Sequence, residues 1–259
     1  MLPAARNAPR PRARRASLVL CLALLTGIVA PVTPVAAANV VPSATVANER
    51  LAGADRYATA VAVSQRLFPS GPAPVVYLAS GANFPDGLSG SPIAARRGGV
   101  MLFAQSNALP AVVEAELARL APAEVVLLGG PAVLSDAVAA RVQAVLPAAA
   151  VGRLFGADRY ATAAQLSASA FAPGAAPTVL VASGENFPDA LAAASAAAVI
   201  GAPLLLARAG SLPAATAAEL DRLNPGAIVI AGGPGVIGDT VASAMSAYAP
   251  VERAWGADR

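Results

Sequence analysis

The sequence contains no histidine and no lysine, and its single cysteine is Cys21. Without histidine or a second thiol, the chain cannot assemble a Ser-His-Asp or Cys-His catalytic centre or a zinc site with histidine ligands. Without lysine it has no Walker-type Gly-Lys pair for nucleotide phosphates. Aromatic residues are scarce at 4% and charged ones at 13%, while 56% of the 259 residues are hydrophobic. That balance excludes disordered and collagen-like chains and leaves room for one large α/β domain or two small ones.

Positive charge is concentrated at the start. Of the 18 arginines, Arg6, Arg10, Arg12, Arg14 and Arg15 precede residue 16, with no acidic residue among them. An apolar stretch from Leu18 to Ala30 follows, then Pro31, Pro34 and the small residues Ala36, Ala37 and Ala38. Residues 1–38 are thus expected to be a secretory signal cleaved after Ala38, with residues 39–48 a linker. The apolar stretch is shorter than the roughly 20 residues a spanning helix needs, so no membrane span is expected after cleavage. Cys21 is preceded by Leu20, where lipidation would want a small residue. Removing this segment leaves 13 arginines against 15 acidic residues, a net charge of −2. The exported chain then has no electrostatic footprint for nucleic acid, and any polyanion must be held by local arginines.

Self-comparison reveals a repeat. Arg50, Gly53, Asp55, Arg56 and Tyr57 recur 103 residues later as Arg153, Gly156, Asp158, Arg159 and Tyr160. The same offset carries Asn83, Phe84, Pro85 and Asp86 to Asn186, Phe187, Pro188 and Asp189, and Gly129, Gly130 and Pro131 to Gly232, Gly233 and Pro234. A third copy opens at Arg253, Gly256, Asp258 and Arg259, where the sequence stops inside the motif, as an incomplete reading frame would. Residues 49–150 and 151–250 are therefore read as two repeats and 251–259 as the start of a third.

Each copy reads as the same series of elements. Asp55 is placed to cap a helix in which Tyr57, Ala60, Val61, Ser64, Leu67 and Phe68 keep helical spacing. Strands are predicted at Val75–Ser80, Val100–Ala104 and Glu124–Leu128, bounded by glycine and proline. Between them lie helices from about Asp86, from Pro110 and, after the third strand, from about Ser135. In the Pro110 helix, Val113, Leu117 and Leu120 share one face, and Glu114, Glu116 and Arg119 are expected to point elsewhere. Apolar strands alternating with amphipathic helices imply parallel sheets covered on both faces, a tandem Rossmann-like α/β fold. If the strand before Gly-Ala-Asp-Arg completes the preceding sheet, Val251–Gly256 closes the second one.

In such sheets the ligand crevice lies at the carboxyl ends of the strands, where the Asn-Phe-Pro-Asp loops fall. Asp86 at a helix start opposes a bare phosphate and suits a sugar hydroxyl or an arginine from another segment; equally, it is an N-cap beside a turn proline. Asp55, Arg56 and Tyr57 present a carboxylate, a guanidinium fork and a ring suited to a glycan, or else a helix cap and an arginine bridging to a neighbouring unit. Arg96 and Arg97, replaced by Val199 and Ile200 in the second copy, read as a solvated cationic helix end.

With these motifs, and with Pro203, Leu204, Leu205 and Leu206, the chain from about residue 49 onward resembles the cell wall-binding repeat type 2 family of exported bacterial surface proteins. The first copy departs from the family pattern at Val100, Met101, Leu102 and Phe103. The resemblance implies noncovalent anchoring to an anionic secondary wall polymer or polysaccharide and a secreted, wall or surface location; it does not imply catalysis, and no cofactor or metal is expected. It also implies three repeats packed about a pseudo-threefold axis, so that association with other copies of the repeat would complete the set. Arg50, Asp55, Arg56, Tyr57, Asn83 and Asp86 and their counterparts Arg153, Asp158, Arg159, Tyr160, Asn186 and Asp189 are the expected ligand-binding residues. The rival readings are a wall-modifying hydrolase of amidase or glycosidase type, with Asp55 and Asp86 as acid and base, and a surface-layer assembly module.

Overall fold

Two four-stranded parallel sheets carry the chain, and both follow the same winding. The structure is a computed structural model that describes residues 48–256; the signal reading over 1–38, the linker up to residue 47, and Ala257, Asp258 and Arg259 lie outside the described residues. The first repeat runs α1 (Arg56–Leu67), β1 (Val75–Ser80), α2 (Pro85–Arg96), β2 (Val100–Ala104), α3 (Ala111–Leu120), β3 (Glu124–Leu128), α4 (Asp136–Val145) and β4 (Ala150–Leu154). The second runs α5 (Arg159–Ala170), β5 (Thr178–Ser183), α6 (Phe187–Ile200), β6 (Leu204–Ala207), α7 (Ala214–Leu223), β7 (Ala227–Ala231), α8 (Asp239–Met245) and β8 (Val251–Ala254). Strand order is β2-β1-β3-β4 in one sheet and β6-β5-β7-β8 in the other.

The strand preceding each Gly-Ala-Asp-Arg motif belongs to the sheet before it. Leu127 on β3 pairs with Arg153 on β4, and Ile230 on β7 with Arg253 on β8. β4 and β8 thus close one sheet before the next motif opens, and the sequence repeat is out of phase with the sheet it builds.

Burial explains the continuous apolar strands. Val76, Leu78, Val125 and Leu127 face α1, α3 and α4 through Val61, Val113, Leu117, Val138 and Val142. The alternate residues Val75, Tyr77, Ala79, Val126 and Leu128 face α2 through Ile93 and Ala94. With both faces covered, all six β1 side chains are buried. The second sheet repeats the plan, with α5, α7 and α8 on one face and the alanine-rich α6 on the other.

The repeats join helix to helix. The outer side of α2 packs on α5 and α6, and the apolar cluster that begins at Val75 continues into Leu166, Phe171 and the face of the second sheet. Arg96 reaches across this join from the cationic helix end expected, and both Arg96 and Arg97 remain exposed. The Arg96 guanidinium lies 4.4 Å from the centre of the Phe171 ring, and Arg97 donates to Glu124 and to the Tyr77 hydroxyl. Arg97 thus pairs within its own repeat, whereas Arg96 reaches the other, with the Phe171 ring and the Gly201 carbonyl beside it.

Three local expectations change. Pro110 is the N-cap of α3, which starts one residue later at Ala111. Glu116, expected on the polar face, is 1% exposed. It sits three residues after Val113 and four before Leu120, on the flank of the apolar stripe that meets α1. There it accepts hydrogen bonds from Ser64 Oγ at 2.5 Å and from both ends of the Arg119 fork. The third change concerns Asp86 and belongs to the site. Among the described residues no helix is long and apolar enough to cross a membrane.

Candidate functional site

At the centre of the first sheet the winding reverses: β1 leads by way of α2 to β2 on one side, while β3 lies on the other. Loops leaving the carboxyl ends of two such neighbouring strands diverge, and the gap between them is where open α/β sheets bind ligands. A cavity of about 460 Å³ occupies this place. The β1 loop supplies Asn83, Pro85 and Asp86, the β3 loop Gly129–Val133, and the segment after β4 supplies Phe155, Asp158, Arg159 and Thr162.

Two motifs of different repeats thus meet in one cavity, the Asn-Phe-Pro-Asp of the first and the Asp-Arg of the second. Arg159 is held there by its own repeat, because its Nη1 donates to the Gly184 carbonyl at 2.5 Å. From that position its charge acts on Asp86 of the other repeat. Arg56 makes the matching bond to the Gly81 carbonyl in the first repeat.

Asp86 is not an N-cap. Phe84 occupies the cap position, no side chain caps α2, and Asp86 is the second helical residue, 8% exposed. Its carboxylate is turned instead against the β3 loop: a β-carbon on Gly129 would lie 2.8 Å from Asp86 Oδ2. Gly129 also has φ +99°, so two independent constraints demand glycine there. Gly232 and Asp189 repeat the arrangement at 2.7 Å. Burial pushes the Asp86 carboxyl up from the ordinary carboxylate range, and the nearby Arg159 charge pulls it back.

The other expected residues divide by role. Asp55 caps α1 by accepting from the Ala58 N–H at 2.8 Å, and Asp158 caps α5 by accepting from Tyr160 and Ala161. The rings of Tyr57 and Tyr160 lie against Gly81 and Gly184. Tyr160 is buried, and the Arg208 guanidinium sits 4.7 Å from its centre. Arg153 is engaged by the sheet it closes, donating to the carbonyls of Gly129 at 2.9 Å and Leu134 at 2.7 Å and to Asp136 at 3.2 Å. Arg253 does the same at Gly232 and Asp239. Arg50 is exposed before α1. Asn186 and Asp189 stand at the corresponding place of the second sheet, Asn186 as the N-cap position of α6.

Sequence reasoning missed Phe155, which forms a wall of the cavity at the variable position between Arg153 and Gly156. The signal was available: its counterpart in the third copy is Trp255, in a chain otherwise poor in aromatic residues. Among the described residues no three histidine, cysteine, aspartate or glutamate side chains gather as a metal site requires.

The geometry is accompanied by clear kinship. The family profile described as Cell wall binding domain 2 (CWB2) matches residues 50–139 and 153–242. Among curated proteins, the chain is 28% identical over 203 residues to the N-acetylmuramoyl-L-alanine amidase LytC of Bacillus subtilis (strain 168), covering 78% of this chain and 40% of that protein. It is 28% identical over 212 residues to the Amidase enhancer of the same organism, covering 82% of this chain and 28% of the other. Among solved structures it superposes on Cwp6 from Clostridium difficile with a TM-score of 0.74 at 25% identity, over 84% of this chain and 36% of that one. Cwp8 from the same organism gives a TM-score of 0.72 at 26% identity, over 80% and 35%. The chain thus spans less than half the length of each of these relatives. Two matched repeats, covering well over half of its residues, make the chain a member of the cell wall binding domain 2 family.

Proposed function

We propose that the two repeats hold the protein noncovalently to the bacterial wall by binding an anionic secondary polymer or polysaccharide at the junction between repeats. The observation that carries this reading is the meeting of Asn83 and Asp86 from one repeat with Asp158 and Arg159 from the next in a single open cavity. A site split between repeats suits a chain-like ligand that runs across the junction, and its mixed charges suit hydroxyl-rich rings. The matches take in 40% of the amidase and 28% of the Amidase enhancer, and we read the shared part as the binding repeats. We therefore read this region as non-catalytic and the activity named for LytC as a property of that longer protein. A location outside the cell, at the wall, follows from the same reading.

The test is co-sedimentation with purified sacculi. Arg159→Ala, which removes the charge facing Asp86, is expected to weaken binding roughly tenfold, with an unchanged circular dichroism spectrum. Binding equal to wild type would contradict the junction site.

The partner set includes further copies of the repeat. On α2, Leu88 is tucked against the second repeat, and Ser89 and Ile93 are buried. Their counterparts on α6, Leu191, Ala192 and Ala196, are exposed, Leu191 at 53%. The face that one repeat covers with its neighbour is thus open on the other, and a repeat of the same kind fits it.

A further inference from the structure

We propose that Phe155 and Trp255 are sugar-stacking platforms, each receiving the apolar face of a neutral pyranose ring of the wall glycan at the mouth of a strand-end cavity. The proposal rests on the wall-binding reading and specifies which part of the polymer is recognised.

Phe155 lines the junction cavity beside Asn83, Asp86, Asp158 and Arg159 and remains 47% exposed. One side of its ring lies on bare backbone, since a β-carbon on Gly130 would come within 3.1 Å of Phe155 Cδ2. Trp255 repeats the construction on the second sheet. It is 62% exposed and lies so close to Gly233 that a β-carbon there would sit 3.0 Å from its Cε3. It lines a cavity of about 380 Å³ with Asp189 and with Ala192 and Ala196 of the open α6 face, so a sugar in this cavity and a repeat covering α6 exclude one another. Both rings therefore lie against the second glycine of a Gly-Gly-Pro segment and remain exposed beside a cavity that carries a carboxylate. Ala52 holds the matching place in the first copy, where no Gly-Gly-Pro precedes it. Aromatic side chains thus stand where a glycine pair backs them and not where it is missing.

The charge of the linings points the same way. Around the first cavity the ionisable groups are Asp86 and Asp158 against Arg159, and among the described residues Asp189 is the ionisable group of the second lining. A polyanion gains no net attraction from the first lining. The face of a pyranose, by contrast, offers C–H groups to an aromatic ring and hydroxyl donors to carboxylates, the combination of apolar wall and few polar groups that fixes small ligands in cavities of this size. The anionic groups of the polymer then lie outside the cavities.

Trp255 is the sole tryptophan, so its emission reports on its own platform. Three probes separate the sources of affinity: polysaccharide released from sacculi by mild acid, its neutral oligosaccharides after removal of phosphate, and poly(glycerol phosphate), which has no sugar rings. The neutral oligosaccharides are expected to shift and quench the emission saturably, and poly(glycerol phosphate) to leave it unchanged. Phe155→Leu, which keeps an apolar side chain over Gly130 but removes the ring, is expected to weaken sacculus binding roughly tenfold, whereas Phe155→Tyr retains it. If wild type sediments with sacculi while Phe155→Leu binds equally well, or while released polysaccharide leaves the emission unchanged, the stacking proposal is overturned and the wall-binding reading stands. If wild type itself does not sediment, both fall together.

Discussion

At the scale of single residues, the repeat uses its charges mainly to hold itself in shape. Asp55 and Asp158 cap helices, Arg153 and Arg253 tie down the loops after β3 and β7, and Glu116 is sealed between α1 and α3. Glu116 gives a measurable pH signature. Burial drives its carboxyl up, but hydrogen bonds from Arg119 and Ser64 outweigh that and leave it below the ordinary range. A carboxyl depressed in the folded state stabilises the fold above its unfolded pKa, and that contribution disappears as pH falls through the folded value. Glu116→Gln is therefore expected to lower stability by about 2 kcal/mol at neutral pH. The gap between variant and wild type should close as urea unfolding is repeated at pH values below the carboxylate range. A gap that stays constant with pH would contradict the ionised pairing.

At the scale of elements, the two repeats serve as controls for one another. Ala121 and Asn224 occupy matching C-cap positions of α3 and α7, both in the left-handed region at φ 39° and 43°. Asparagine tolerates that conformation better than alanine, so Ala121→Asn should stabilise the protein by about 0.5–1 kcal/mol, read as a higher Tm. A lower Tm would contradict the cap assignment. The join between repeats gives a second paired test. Leu88→Ser should cost about 1–2 kcal/mol, because Leu88 packs against α6 and β5. Leu191→Ser should stay within about 0.5 kcal/mol, because its side chain faces water. The same Leu191→Ser change should reduce any concentration-dependent rise in sedimentation coefficient, which arises if another copy covers α6; equal losses of stability in both variants would contradict the asymmetry.

The elements themselves were legible in the sequence. Val75–Ser80, Val100–Ala104 and Glu124–Leu128 are the strands expected, because β-branched runs flanked by glycine and proline leave few alternatives. Glu116 was misread, and the N-cap reading of Asp86 failed, for one reason: a one-dimensional pattern shows spacing along a helix but not what packs against its flank. Neither the partner of Glu116 on α1 nor the Gly129 loop that receives Asp86 is near in sequence. The position of Asn83 and Asp86 at a strand end followed from the strand pattern. The ring of Phe155 did not, because it occupies a position where the first copy has alanine.

For the whole molecule, the sequence repeat and the structural unit are offset by one strand, and this offset produces the site. Because β4 closes the first sheet while the motif after it opens α5, the chain must pass over the β1 and β3 loops as it enters the second repeat. Any tandem array built this way places one Asp-Arg segment over each preceding Asn-Phe-Pro-Asp loop. On the proposed reading, binding at the first cavity depends on the junction, because Asp158 and Arg159 come from the next repeat. The most direct test of this account is co-sedimentation of the protein with purified sacculi before and after acid extraction of the secondary polymers. The account predicts retention on intact sacculi and its loss after extraction, with Arg159→Ala weakened on the intact wall. Equal retention on extracted sacculi, or no retention on either, would contradict it.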